Sequence, residues 1–154
     1  MAKFSELRGG TPVPPMTGTD VPLRQALLTP AVATIVADGS VADTELDQLR
    51  SLCAASPVFR EIGGAELEAL VEAAHASIEH RGTEPAIAAA ARVLSPALRR
   101  TALALAAHVA AADGRVDPSE EAILEQTALT LGIDDGTFDR ICEVVTILHH
   151  GEDD

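Results

Sequence analysis

One pentapeptide occurs twice in this chain. Ala37-Asp38-Gly39-Ser40-Val41 returns as Ala112-Asp113-Gly114-Arg115-Val116, and Glu45, which follows the first copy, returns as Glu120 after the second. The offset is 75 residues for the Asp and for the Glu alike. Each copy follows an apolar run and precedes an amphipathic one, so each reads as the end of one helix and the start of the next. Gly39 and Gly114 stand where a helix C-cap turns left-handed at little cost. The Val two places after each Gly is positioned to plug the gap between the two helices. A duplicated helix, Asp-Gly loop, helix unit commits the chain to an all-α fold with an internal duplication.

The composition agrees with that commitment. Of 154 residues 47% are apolar, yet the only aromatics are three Phe, so the core must be built from Ala, Leu, Val and Ile. Ala and Leu are the strongest helix formers, and little competes with them for strand. A chain of this length forms one domain with a core large enough to need neither disulfides nor a structural metal.

Punctuation by Gly, Pro and Ser divides the chain. Residues 1–19 contain Gly9-Gly10, Pro12, Pro14-Pro15 and Gly18 and read as a flexible N-terminal arm. The helical domain is expected over 20–150, followed by an acidic tail over 151–154. Within the domain, Asp20 can cap a helix running from about Pro22 to Ala37, with Pro30 expected to kink or break it and Thr29 available as a new cap. Further helices are expected near Asp43–Ala55, Gly64–His80, Thr83–Leu94, Pro96–Ala112, Pro118–Leu131 and Asp135–His149. Ser95-Pro96 is a strong helix start, and Leu131-Gly132-Ile133 a Schellman-type stop. The fifth helix, apolar nearly all round, belongs at the centre. In the seventh, Phe138, Ile141, Val144, Val145 and Leu148 are expected to face inward. The sum is a single-domain bundle of about seven helices.

The charge balance narrows the partners. Eleven Lys and Arg against 24 Asp and Glu leave a net charge of −13, which repels phosphate backbones and anionic lipids. Nucleic acid is therefore not an expected partner, and neither is direct membrane insertion, since no uncharged apolar run reaches about 18 residues. With no leader-like segment at the start, a cytoplasmic location is the default. Cys53 and Cys142 form no CxxC and lie on apolar stripes, where a reduced, buried thiol is the ordinary case. No nucleophile elbow, P-loop, dinucleotide fingerprint or H-E-x-x-H motif occurs, so the chain is not expected to be an enzyme. His75, His80, His108, His149 and His150 read as core or surface histidines.

Asp38 and Asp113 resist a purely structural explanation. An acid in the last turn of a helix faces the negative end of the macrodipole, a cost of about 0.3–1 kcal/mol. Finding it twice at matching positions asks for a compensating partner. The free N–H groups of the following loop are one candidate; a cation held between each Asp and the Glu seven places on is the other. Glu120 has a separate structural reading, since Asp117 and Glu120 can form a capping box, whereas Ala42 occupies the place of Asp117 in the first copy. One loop lacks the D-x-D-x-D-G ligand ladder of an EF-hand and supplies too few oxygens alone. Asp38, Glu45, Asp113 and Glu120 brought together would form a hard-oxygen set suited to Ca, Mg or Mn.

The paired Ala-Asp-Gly-x-Val-x-x-x-Glu pattern, with the Leu131-Gly132-Ile133 ending, resembles the TerB family of tellurite-resistance proteins and the related domain at the start of DjlA-type co-chaperones. The resemblance runs from about Leu23 to Leu148. It implies an all-helical cytoplasmic stress-response domain whose acidic cluster, here Asp38, Glu45, Asp113 and Glu120, holds a divalent cation. It also implies work beside other tellurite-resistance or stress proteins, a membrane partner among them. The alternative is an acidic helical protein–protein interaction adaptor whose loops are purely structural.

Overall fold

The computed structural model describes residues 21–37, 43–59, 62–112, 116 and 118–149, and the side chains of all of these except residues 43–45. The expected arm, the Asp20 cap and the acidic tail fall outside the described residues. The fold is all-α. Seven α-helices appear among the described residues: α1 (Leu23–Val36), α2 (Asp43–Ala55), α3 (Gly64–Arg81), α4 (Thr83–Val93), α5 (Pro96–Ala110), α6 (Pro118–Thr130) and α7 (Asp135–Leu148). A single 3-10 turn, Pro57–Phe59, follows α2. No helix among the described residues is long and apolar enough to cross a membrane.

Local chemistry fixes the helix ends. Ser95 caps α5, its Oγ accepting the Leu98 N–H at 3.2 Å, with Pro96 in the first turn where its missing N–H costs nothing. Asp134 caps α7: Oδ2 accepts the Thr137 N–H at 3.0 Å and Oδ1 the Thr137 hydroxyl at 2.7 Å. The α6 stop is a Schellman motif, with Ile133 N–H on the Ala128 carbonyl, Gly132 N–H on that of Leu129, and Gly132 at φ +71°. Gly82, at φ +93°, joins α3 to α4 in a single residue, a conformation a side chain would resist.

Two helices, not one, form the centre. α5 is buried as its sequence requires, but α1 carries an unbroken buried run from Ala26 to Ile35 and packs on α3, α4, α5 and α6. Its two threonines are admitted because each hydroxyl donates to the carbonyl four residues back, Thr29 to Gln25 at 2.9 Å and Thr34 to Pro30 at 2.8 Å. The same burial overrides the expected break. Pro30 lies inside a continuous α1, and Thr29 bonds within the helix rather than capping a new one. Packing on four neighbours outweighs the cost of an interior Pro, about 3 kcal/mol.

Two expectations about inward side chains are corrected. Val116 is 41% exposed, so it is no plug; Ala111 and Glu120 are the residues buried at that corner. Val41 lies outside the described residues. In α7, Val145 is buried and Phe138 and Ile141 pack against the core, but Val144 is 54% and Leu148 63% exposed. The cause is coverage. Among the helices, α7 packs substantially on α5 alone, and one neighbour cannot cover so wide an apolar stripe.

Candidate functional site

The helices that precede the two Asp-Gly pairs end with the same backbone step. At the end of α1 the Ala37 N–H bonds the Thr34 carbonyl at 3.3 Å; at the end of α5 the Ala112 N–H bonds that of Val109 at 3.1 Å. These are matching positions of the repeated sequence, each closing the helix with a tightened three-residue turn. The helices beyond the corners pack crosswise: α2, after the first corner, lies on α5, and α6, after the second, lies on α1, while α1 and α5 form the most extensive contact in the molecule.

Of the four candidate ligands, Asp38 and Asp113 lie outside the described residues. Glu45 falls in the first turn of α2, with its side chain outside the description. Glu120, in the first turn of α6, is the one whose surroundings are visible. It is 4% exposed, whereas the adjacent Glu121 is exposed. Asp117, its expected capping-box partner, also lies outside the described residues. The positive end of the α6 dipole favours an acid at this position, but a buried carboxylate additionally requires hydrogen bonds or a positive charge around it. Among the described residues no three His, Cys, Asp or Glu side chains gather to hold a metal.

The cysteines are poorly suited to redox chemistry. Burial pushes the Cys53 thiol up to about 11. Burial, then the charges of Asp139, Glu121 and Glu125, raises that of Cys142. The thiolate, which is the nucleophilic form, is disfavoured at both.

Sequence reasoning treats the histidines singly and misses a pair. His108 Nδ1 of α5 and His149 Nε2, at the end of α7, are 3.2 Å apart, with ring centroids separated by 5.2 Å. Burial, with the neighbouring His149, holds the His108 pKa below the usual imidazole value. One ring donates and the other accepts, so the contact ties α7 to α5. The 41 residues between the two leave no local pattern to read. His75 instead sits 3.2 Å from Glu79 on the surface of α3.

A family model described as "Tellurite resistance protein TerB" matches residues 24–143. No curated protein and no solved structure matches the chain significantly.

Proposed function

Since the chain belongs to the TerB family of tellurite-resistance proteins, we propose that it is a non-catalytic, cytoplasmic stress-response protein that binds one divalent cation through Asp38, Glu45, Asp113 and Glu120. The observation that carries this reading is Glu120, a carboxylate buried at the second corner at the place matched by Glu45 in the first. An acid is seldom buried this far unless groups around it hold its charge, and a bound cation would add to them; the neighbouring Glu121 stays exposed. The crosswise packing of α2 on α5 and α6 on α1 supports a paired arrangement of the two corners. Four carboxylate oxygens fit a hard cation such as Ca, Mg or Mn better than a soft one. When bound, the ion would neutralise acids that the helix C-termini disfavour. Its partners are other tellurite-resistance or stress proteins, a membrane protein among them.

Thermal melts of the full chain with Ca, Mg and Mn test this directly. A cation at 100 times its dissociation constant adds about 2.7 kcal/mol. The gain is expected with at least one ion and is lost in the Asp38→Ala, Asp113→Ala double variant. No gain with any ion refutes cation binding.

One observation favours a second reading, an adaptor whose loops are structural. Val144, Ile147 and Leu148 form an exposed stripe on α7, and Leu129 on α6 is 74% exposed. Exposed apolar residues grouped this way mark protein contacts. Melts unmoved by every cation, together with loss of partner binding in Val144→Asp, Ile147→Asp, identify the adaptor.

A further inference from the structure

One groove among the described residues carries charge opposite to the net charge of the chain. Between α5 and α7 lies an open groove of about 550 Å³ with Arg100, Thr101 and His108 on the α5 side and Thr137 and Arg140 on the α7 side. No carboxylate lines it. Three other surface grooves each carry at least one: Glu68 and Glu72 beside Arg50, Glu125 with Asp135 and Asp139, and Glu66 near Pro22. In a chain with 24 acids and a charge of −13, the α5–α7 groove is the one of these four grooves among the described residues that has two guanidiniums and no acid.

The arginines of that groove make fewer internal contacts than Arg24, Arg50 and Arg99 do. Arg24 donates to the Val58 carbonyl, Arg50 to Asp47 and Glu68, and Arg99 to backbone carbonyls. Arg100 has neither a hydrogen bond nor a carboxylate within 4 Å among the described residues. Arg140 donates only to the Thr137 hydroxyl, at 3.1 Å. Asp134 lies beyond that hydroxyl and offsets part of the Arg140 charge, leaving Arg100 uncompensated. The walls are otherwise apolar, with Ile141, Val144 and Val145 from α7. Volume, apolar walls and a few polar groups at one side are the features of a small-molecule site. Guanidinium groups favour oxyanions such as phosphate, which they bind in a two-pronged geometry.

We propose that the α5–α7 groove binds a small organic anion, its phosphate-monoester-type head group taken by Arg100 and Arg140 and its apolar body lying on Ile141, Val144 and Val145. Such a site shares no lining residue with the four acids and selects the opposite charge. The test is an amide-resolved NMR titration of the full chain with phenyl phosphate, run in parallel with inorganic phosphate at constant ionic strength. Saturable shifts at Thr101, His108 and Val145 are expected, with phenyl phosphate binding more tightly than inorganic phosphate. Arg100→Gln, Arg140→Gln should weaken binding about tenfold or more. Arg81→Gln, Arg92→Gln carries the same change of charge on exposed arginines outside the groove and should leave binding unchanged. Arg100→Gln alone removes no internal contact and keeps the test valid if the double variant unfolds. Shifts that fail to saturate overturn the proposal, as does equal loss in both double variants or undiminished binding without Arg100. Equal affinity for the two phosphates overturns the assignment of an apolar body.

Discussion

Arg99 is predicted to be the most sensitive surface-proximal position in the bundle. Its guanidinium reaches from the first turn of α5 to the ends of two other helices. Nε donates to the carbonyls of Ala91 and Leu94, both at 3.1 Å, and Nη2 to Ala91 at 2.7 Å, all at the end of α4. Nη1 reaches the Leu131 carbonyl at the end of α6 at 3.5 Å, a marginal contact. A cation thus caps two helix C-termini at once, where the macrodipole favours it. Arg99→Met keeps much of the apolar stem and removes the donors. Two carbonyls, those of Ala91 and Leu94, lose charge-assisted partners. Each is worth about 1.5–3 kcal/mol when fully buried, and partial access to water brings the pair to about 2–3 kcal/mol. At about 2–4 °C per kcal/mol for a chain of this size, the melting temperature should fall by about 4–12 °C. Arg99→Lys retains the charge but not the planar fork and should recover less than half of the loss. Differential scanning calorimetry reads both. A drop under about 1 °C in Arg99→Met, or a Lys variant matching the wild type, would refute the clamp.

Other outcomes follow from single contacts. Thr127 is fully buried and its hydroxyl has no hydrogen-bond partner among the described residues, so Thr127→Val should stabilise by about 1 kcal/mol in denaturant melts, and a loss of stability would contradict that geometry. Because the His108 pKa is lowered in the folded chain, the unfolded chain binds more protons as pH falls. The stabilising share of His108 is therefore whole above pH 6.5 and shrinks below it, and melts at pH 7 and pH 5 should show a smaller acid loss in His108→Asn than in the wild type. Cys53, buried with its pKa near 11, should resist an aromatic disulfide reagent at pH 8 until the chain unfolds. Prompt labelling of two thiols in the native state would count against the packing of α2.

Elements were legible where a residue type answers to one local demand. Ser95-Pro96 and Leu131-Gly132-Ile133 mark helix ends in the sequence because capping and left-handed turns are decided within a few residues. Pro30 leaves α1 unbroken for the complementary reason: its local cost is real, but α1 is buried against its neighbours and tertiary packing decides. Val144 and Leu148 continue an apolar stripe that periodicity assigns to the core, and only the number of neighbours around α7 exposes them. The Arg99 clamp and the His108–His149 contact join distant segments, and the α5–α7 groove is a property of two helices jointly, so neither leaves a pattern in the chain. At the acidic corners the sequence supplies the candidates Asp38, Glu45, Asp113 and Glu120, and the structure adds the burial of Glu120.

Paramagnetic broadening by Mn is the sharpest probe of a shared cation. Titrating the full chain with substoichiometric Mn should broaden the amide signals of Ala37 and Ala112 together, at the same metal concentration, while residues in the middle of α3 stay sharp. Broadening at one corner alone, or at neither, would contradict a single ion held jointly by the two Asp-Gly turns.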